Sequence, residues 1–567
     1  MTGATDSGIL PGQLLAILLL ATAFTLPVSM GLLRLYRRAV LRSMRARSDS
    51  REIESPETST SPNGPTQAAP DLVVLDHASS IAVGPAAEGT YSRLLRDPWR
   101  AAAIYAAAGL CFAAVMAAAF LIPIGFSPFR FLSIFWIFAW PVVLTVNLVA
   151  AATWRARLAT ASVYFLVFAV LGAITLIRSP DSSWGQLIAL WLIINLPATV
   201  LLLVFLNRRI RAVGPLVLAF MTLAVAGSQL ALSIVGSDEG LLRSITGLGL
   251  AIGLEAVGIF IGLMVLGFIA FGLAGWLTLR WIGHRYERKN ISDQSITLDA
   301  IWLFLGVAQS ISLLIFAGVA WIFSGLLAFV IYKIVVRAGF SLLNREVSTE
   351  ETPELLLLRV FSLGRRSERL FDALATSWRH VGSIRLIAGP DLATTTVEPH
   401  EFLDFLGGKL ARRFIDGPKA LDLRISEADL EPDRDGRFRV NDFFCHDDTW
   451  RMVLSRLVSE SDAVLMDLRG FSPQNRGVAF EINEIVNVVS LERVVFVVDD
   501  TTDERFLHET ARRAWDQMRP ASPNRASTSG GLRLFRFTGS RGGELRRLLR
   551  AMCGAALVAP PTVATKG

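Results

Sequence analysis

The sequence predicts an α-helical transmembrane bundle of about nine helices, followed by a C-terminal doubly wound α/β domain. Hydrophobic residues make up 52% of the 567 residues and the mean hydropathy is +0.47, which is too apolar for a wholly water-soluble chain of this size. Charged residues are sparse between positions 101 and 336 and return at ordinary density afterwards. From residue 355 onward, short apolar runs alternate with amphipathic segments, as in a parallel sheet covered by helices.

The net charge of +7 does not by itself indicate a nucleic-acid-binding protein. Many arginines lie in short clusters beside the apolar runs, where they act as membrane-topology signals. Cys111, Cys445 and Cys553 give no disulfide framework and fit a reducing compartment. The six histidines are scattered without metal-site spacing. We therefore predict no metal site, no resident cofactor and no nucleic-acid partner.

The first apolar run, residues 9–33, is long enough to cross a bilayer. No basic residue precedes it, and six arginines follow it between positions 34 and 47. Because a cleavable signal peptide carries its charge in front, we expect a retained helix in residues 1–36 with its N-terminus outside. Residues 37–99 include a Ser/Thr/Pro-rich stretch with few hydrophobic residues, which predicts a disordered cytoplasmic linker.

Further apolar runs of bilayer length lie in a polytopic region at residues 100–338. Before the last of them come 101–124, 131–152, 158–177, 187–206, 216–235 and 252–277. Loops with clustered arginines alternate with loops that carry acids such as Asp181 and Glu239. The positive-inside rule assigns the arginine-rich loops to the cytoplasm.

The last apolar stretch, residues 300–336, is roughly twice the length of one crossing. Lys289 precedes it and Arg337 follows it, so a hairpin turning near Ala317 and Gly318 would keep both ends in the cytoplasm. This hairpin gives nine helices and a cytoplasmic C-terminal domain. One long helix would instead give eight crossings and an external domain, which the reduced cysteines disfavour.

Glu255 is an acid within an apolar run, flanked by the small residues Gly253, Ala256 and Gly258. An intramembrane acid indicates a functional site by default, which leaves open a transporter or channel with a regulatory soluble domain. Alternatively, Glu255 lies near the outer end of its helix or pairs with a polar neighbour. The apolar runs lack the several polar residues that most transport pathways need, which disfavours transport.

The soluble domain is predicted at residues 355–556, after a linker at 339–354 and before a disordered tail at 557–567. We predict its strands at 356–361, 384–388, 463–467, 493–498 and 532–537. We predict its helices near 367–380, 400–414, 448–460, 475–489, 503–518 and 543–552. The alternation indicates a small doubly wound sheet. The polar and aromatic segment 440–450 either lines a pocket or caps the next helix.

Ligands of such folds bind beyond the carboxyl ends of the strands. Asp391, Asp467 and Asp499 all lie at that edge of the predicted sheet and could together hold a divalent cation. Aspartates in these turns also cap the following helices, and we favour capping. The residues predicted to contact a bound ligand are Gly389, Asp391, Arg469, Phe471 and Asp499.

The strand at 463–467 is followed by a polar loop and a helix that begins Asn-Arg-Gly-Val-Ala-Phe-Glu, which places Glu481 in the first turns. The strand, the loop and the Gly-x-x-x-Glu helix start resemble those of nucleoside 2-deoxyribosyltransferases and TIR domains, over roughly residues 355–555. In both families a glutamate in this place acts on an N-glycosidic bond. The resemblance implies that Glu481 is a catalytic carboxylate, that Asp462 and Asp467 assist it, and that NAD or a nucleoside is the substrate.

This chemistry is physically reasonable, because ribosyl transfer passes through an oxocarbenium-like state that a carboxylate can trap or stabilise. Arg469 or Phe471 would supply a platform for the base. A non-catalytic sensor or scaffold remains the alternative, in which Glu481 is an ordinary residue near the helix N-terminus. We expect a multi-pass protein of a bacterial inner membrane, surrounded by lipid, with a small nucleotide as ligand and a homo-oligomeric assembly.

Overall fold

The structure is a computed structural model that describes residues 9–45, 72–75, 84–150, 154–179, 181–205, 208–344, 352–359, 365–388, 397–525, 530–537 and 542–558. These residues form two units. The helical unit lies within Met1–Tyr36, Trp99–Glu346 and Thr396–Gly407, and the sheet unit lies within Arg37–Pro98, Val347–Thr395 and Gly408–Gly567.

Long apolar helices account for most of the helical unit. In chain order its helices up to residue 344 are α1 (Ile9–Arg45), α2 (Pro85–Leu121), α3 (Pro128–Phe138), α4 (Trp140–Val149), α5 (Trp154–Arg178), α6 (Trp184–Phe205), α7 (Arg208–Arg211), α8 (Gly214–Ser237), α9 (Glu239–Ala251), α10 (Ala256–Glu287), α11 (Asp293–Ala317) and α12 (Ser324–Asn344), of which α7 and α9 are short connecting helices. Within the described residues, eight spans are long and apolar enough to cross a membrane, and α3 with α4 counts as one of them. The number rises to as many as nine if the two segments of the bent helix α6 form one span, and the prediction of a multi-pass membrane protein is confirmed at this level.

The hairpin predicted near Gly318 is present. Helix α11 ends at Ala317, Gly318 has a positive φ of 94°, and a short 3-10 turn over Val319–Phe323 leads into α12. The two helices pack against each other, and the Lys333 ammonium lies 2.6 Å from an oxygen of Asp299. The alternative of one long helix is therefore wrong, because left-handed glycine backbone ends α11 at this point.

Glu255 does not lie inside an apolar helix. The prediction of one apolar run over residues 252–277 missed the short helix α9 and the connection that follows it. Glu255 is the exposed residue that immediately precedes α10. Glu255 is thus a residue at the start of a helix and not an acid within an apolar helix, so it no longer favours transport.

Within the described residues, eight parallel strands build the sheet unit. They are β1 (Leu72–Leu75), β2 (Leu355–Arg359), β3 (Ile384–Ala388), β4 (Phe414–Ile415), β5 (Val440–Cys445), β6 (Ala463–Asp467), β7 (Val494–Val498) and β8 (Gly530–Arg536). Their order across the sheet is β1-β8-β7-β6-β2-β3-β5-β4. All five predicted strands are present within about two residues at their ends. The segment at 440–450 contributes β5 rather than a pocket-lining loop.

Helices cover both faces of this sheet. In chain order they are α13 (Arg365–Trp378), α15 (Pro418–Ser426), α16 (Trp450–Glu460), α17 (Arg476–Val488), α18 (Glu504–Asp516) and α19 (Gly542–Ala556), and the helix between α13 and α15 is α14 (Pro399–Leu406), which is described below. Helices α13 and α19 share one core with the alternate strand residues Leu355 and Leu357, whereas α16, α17 and α18 share the other with Leu356 and Leu358. The doubly wound architecture is therefore present.

Helix α14 belongs to the helical unit. Tyr286 of α10 donates a hydrogen bond of 2.6 Å to Glu398, directly before α14, and its ring stacks on His400. The predicted helix 400–414 is wrong beyond Leu406, because Gly408 takes a positive φ of 69° and the chain turns into a 3-10 segment and then β4.

The predicted linker 37–99 is also wrong in part. Helix α1 continues to Arg45, Leu72–Leu75 pairs in parallel with β8, and α2 begins at Pro85. The remaining residues of that stretch, and the predicted tail beyond residue 558, lie outside the described residues. In the predicted linker 339–354, α12 extends to Asn344.

Candidate functional site

The chain reverses its direction of winding between β2 and β6. These neighbouring strands are paired in register, so that Arg359 and Asp467, the last residues of each, lie side by side. Helix α13, which follows β2, covers one face of the sheet, and α17, which follows β6, covers the other. The carboxyl ends of β2 and β6 are therefore the switch point of the sheet, the place where α/β folds bind ligands, and we refer to it as the crevice. Residues 360–364, which follow β2, lie outside the described residues.

Glu481 lies in the second turn of α17, on the side of the helix that faces the sheet. Its neighbours Val478 and Ile482 belong to the core, and Glu481 itself is 3% exposed. Within the described residues its Oε2 atom has no hydrogen-bond partner. Burial raises the pKa of this carboxyl to about 8, and the positive charge of Arg359 partly offsets the rise.

Asp467 is buried and fully engaged by its neighbours. Arg469 donates from Nε at 2.8 Å and from Nη2 at 2.7 Å, one bond to each carboxylate oxygen. Ser367, in the first turn of α13, donates a third bond of 2.7 Å. The guanidinium of Arg469 also lies over the ring of Phe537, 5.5 Å from its centroid. This arrangement fixes the loop after β6 against α13, and the two charged groups stabilise each other.

Asp462 lies at the opposite end of the sheet from the crevice. It immediately precedes β6, and five residues of extended chain separate it from Asp467 by roughly 16 Å. Its carboxylate accepts bonds of 2.9 Å from the backbone of Glu354 and from Arg493. The structure therefore does not bring Asp462 to Glu481, and Asp462 stabilises the amino end of the sheet.

The remaining predicted ligand contacts divide into three cases. Asp499 accepts bonds from the backbone and hydroxyl of Thr501, as expected for an aspartate that shapes its own turn. Phe471 is fully buried and packs on Phe506, so it is a core residue and cannot serve as a base platform. Gly389 and Asp391 lie outside the described residues.

No shared cation site follows from this arrangement. Among the described residues, no group of three or more His, Cys, Asp and Glu side chains is placed to hold a metal ion. Asp467 is paired with Arg469, and Asp499 accepts bonds from Thr501. The favoured prediction that these aspartates cap the following helices is wrong for both, because the N-caps of α17 and α18 are Asn475 and Asp503.

Arg359 and Ser367 are the site residues that the sequence reasoning missed. Arg359 follows four consecutive leucines and ends the central strand. A charged residue at the end of so apolar a strand could have indicated a site residue. Ser367 carried no comparable signal. The crevice thus combines the buried acid Glu481 with the nearby guanidinium of Arg359. The acid can donate a proton to a ligand, and the guanidinium can stabilise negative charge.

Searches with protein-family models, against curated proteins and against solved structures gave no match to this chain.

Proposed function

We propose that this protein is a membrane-anchored enzyme whose sheet unit binds a nucleotide or nucleoside in the crevice between β2 and β6 and acts on its N-glycosidic bond. The observation that carries the proposal is Glu481, a buried carboxyl at the switch point of a doubly wound sheet, one oxygen of which has no hydrogen-bond partner among the described residues. The resemblance of the helix start to deoxyribosyltransferases and TIR domains supports the choice of bond.

Two properties of Glu481 suit this reaction. As a neutral acid it can donate a proton to the departing base of a nucleoside, which lowers the cost of breaking the glycosidic bond, whereas the nicotinamide of NAD departs as a neutral molecule without a proton. After that transfer it is a carboxylate beside the developing oxocarbenium ion, which it can stabilise or trap. The nearby charge of Arg359 favours the carboxylate once it has formed.

A bacterial inner membrane is the proposed location, with the N-terminus outside and the sheet unit in the cytoplasm. The arginine-rich loops support this orientation. Cys445 and Cys553 are free and buried, and burial raises the pKa of each thiol to about 12, as suits structural cysteines in a reducing compartment. A homo-oligomer is part of the proposal because TIR-like domains act as assemblies.

A non-catalytic nucleotide sensor is the second candidate. The engagement of Asp467 by Arg469 and Ser367 favours it, because Glu481 is left without a second carboxylate that is free to assist. In that case the crevice binds the ligand without cleaving it.

The proposal is tested with the full chain in lipid nanodiscs. NAD, ribonucleosides and deoxyribonucleosides are incubated separately with the wild type, Glu481→Gln and Glu484→Gln, and the released base is followed by chromatography. Glu484 is the matched control, because it lies one turn further along α17 and pairs with Arg519 at 3.0 Å.

We expect base release by the wild type and the control, and a loss of at least 100-fold in Glu481→Gln, as for removal of a general acid. Binding without release would favour the sensor. Equal release by all three proteins would reject Glu481 as the acting group.

A further inference from the structure

The last turns of α1 belong to the sheet unit rather than to the helical unit. Residues 37–45 lie in the sheet unit, and Val40 and Met44 among them are buried. Helix α1 ends at Arg45, so the carbonyl of Ser43 lies in the last turn, where backbone oxygens have no N–H partner within the helix. A group that bonds to this oxygen therefore helps to hold the end of α1 on the sheet unit.

That group is His446, the residue that follows β5. Its Nδ1 atom lies 3.1 Å from the Ser43 carbonyl oxygen, and its Nε2 atom lies 3.0 Å from Oδ1 of Asp416, which follows β4. The side chain is 10% exposed and its ring packs on Phe414, 5.1 Å between centroids. The backbone N–H of His446 donates to the hydroxyl of Thr449, which fixes the backbone that carries the ring. We call the arrangement of Ser43, His446 and Asp416 the histidine contact.

Both partners of the His446 ring are hydrogen-bond acceptors. The Ser43 carbonyl cannot donate, and Asp416, whose side chain is 69% exposed, is a solvated carboxylate that also only accepts. A neutral imidazole has one N–H group and one bare nitrogen, so it can make only one of the two bonds. Its bare nitrogen would then face an oxygen at hydrogen-bond distance. The imidazolium ion has two N–H groups and makes both bonds.

The positive charge of the imidazolium ion suits both neighbours. It pairs with the Asp416 carboxylate, and the Ser43 carbonyl lies at the negative end of the α1 dipole. Helix C-termini favour protonated histidine, most strongly where the group is partly buried. Loss of the proton therefore removes one hydrogen bond, the ion pair and the interaction with the helix dipole together.

The other charged residues around the histidine contact are of types that keep their charge where histidine titrates. In general, aspartate stays a carboxylate and arginine and lysine stay cations between about pH 5.5 and 8.5, whereas histidine gains or loses its proton there. The charged residues within three positions of Ser43, Asp416 or His446 are Arg42, Arg45, Arg413, Lys419, Asp447 and Asp448. A change of charge at this contact between those pH values therefore comes from His446.

We propose that the histidine contact is a pH-sensitive attachment, which holds the end of α1 on the carboxyl ends of β4 and β5 when His446 is protonated and loosens when it is neutral. The attachment is strongest at low pH and weakens as the pH rises. Helix α1 is also long and apolar enough to cross a membrane, so the contact joins a candidate membrane span to the sheet unit. This inference is independent of the function proposed for the crevice.

The test is hydrogen exchange of the full chain in lipid nanodiscs at pH 5.5 and 8.5, with labelling times adjusted to give equal chemical exchange. The readout is the protection of the backbone amides of residues 40–45. We expect protection to be at least about tenfold lower at pH 8.5, because a hydrogen bond to a charged group contributes at least about that factor.

Two histidine variants show whether His446 causes the difference. His446→Gln cannot become charged and should show the low protection at both pH values. His508→Gln is the matched control, because His508 is an exposed histidine of the same unit, and it should keep the wild-type difference. A wild-type difference that persists in His446→Gln would overturn the proposal.

Asp416→Ala is a second test that keeps the histidine and changes a largely exposed side chain. Without the carboxylate, a neutral ring can direct its single N–H group to Ser43, so the difference between the two pH values should largely disappear. Equal protection of residues 40–45 at both pH values in the wild type would overturn the proposal. A fall of the same size in the amides of β6 would also overturn it, because that fall reports unfolding of the whole unit.

Discussion

Glu481 shows how burial changes the chemistry of one side chain. The same residue on a solvent-facing turn would be a carboxylate at neutral pH, whereas core packing around α17 removes water and leaves Oε2 without a described donor. The pKa rises to about 8 because desolvation outweighs the charge of Arg359. An uncharged acid in a binding crevice is consistent with a role in proton donation.

This pKa predicts a pH dependence of stability. In the unfolded chain the carboxyl titrates near 4.5, and in the folded chain near 8, so the folded state binds more protons between these values. The contribution of Glu481 to the free energy of unfolding is fully present below pH 4.5 and is lost as the pH rises through about 8. The loss is at most about 1.4 kcal/mol per pH unit. Urea unfolding of the wild type and Glu481→Gln at several values between pH 5 and 8 should show a steeper decline in the wild type. Parallel curves would contradict this assignment.

The two aspartates at the ends of β6 should differ in their effect on stability. Asp467→Asn leaves the buried guanidinium of Arg469 without its counter-charge, which costs about 3–5 kcal/mol. Asp462→Asn weakens a bond to Arg493. Because the side chain of Asp462 is 40% exposed, we expect the free energy of unfolding to fall by about 1 kcal/mol or less. Thermal unfolding of the two variants compares them directly, and equal losses would show that Asp467 is not held as described.

The site was predictable only in outline. The pattern of a strand followed by a polar loop and a helix start correctly placed Asp467 at the end of β6 and Glu481 in the first turns of α17, while the role of Glu481 stays a prediction. Sequence could not show that Arg469 turns back onto Asp467 two residues away, or that Phe471 packs on Phe506, because both depend on contacts across the loop and α18. Asp462 and Asp467 are close in sequence but lie at opposite ends of a strand.

At the scale of elements, length and pattern explain which predictions were correct. The long apolar helices and the hydrophobic strands β3, β6 and β7 are strong local signals. Strands β1 and β4 are too short to give such a signal, and β1 is stabilised by parallel pairing with β8, more than 400 residues away in sequence. Gly407 and Gly408 favour the end of a helix, so the prediction of a helix over 400–414 should have ended before them.

The strand β1 gives a prediction about this edge of the sheet. Replacing both Val73 and Val74 with proline removes the amide donors of two adjacent residues, which point to opposite sides of the strand, so that one of them lies on the β8 side. We expect a loss of about 1–3 kcal/mol and faster hydrogen exchange in residues 530–533. Threonine at both positions is the control, because it keeps the donors and a high strand propensity. Unchanged exchange in the proline variant would show that β1 does not pair there.

At the scale of the whole molecule, the chain alternates between its units rather than passing once from one to the other. Residues 37–98 contribute to the sheet unit before most of the membrane helices are formed, and Thr396–Gly407 returns to the helical unit. The sequence indicated one membrane region and one soluble domain, but the interleaving depends on long-range contacts. A fragment that begins near residue 350 would lack β1, so experiments should use the full chain.

The proposed orientation predicts the labelling of two engineered cysteines. Glu239→Cys lies on α9, on the predicted outer side, and Arg505→Cys lies on α18; the native side chains are 86% and 91% exposed. A membrane-impermeant maleimide added to intact spheroplasts should label the first within minutes and the second after permeabilisation. The reverse pattern would place the sheet unit outside.

Infrared difference spectroscopy of the full chain shows most directly whether Glu481 is a neutral acid that meets a ligand. We expect a carboxylic-acid carbonyl band that titrates near pH 8, is missing in Glu481→Gln and shifts when a nucleotide binds. A carboxylate band at pH 6, or an acid band that nucleotides and Glu481→Gln leave unchanged, would contradict it.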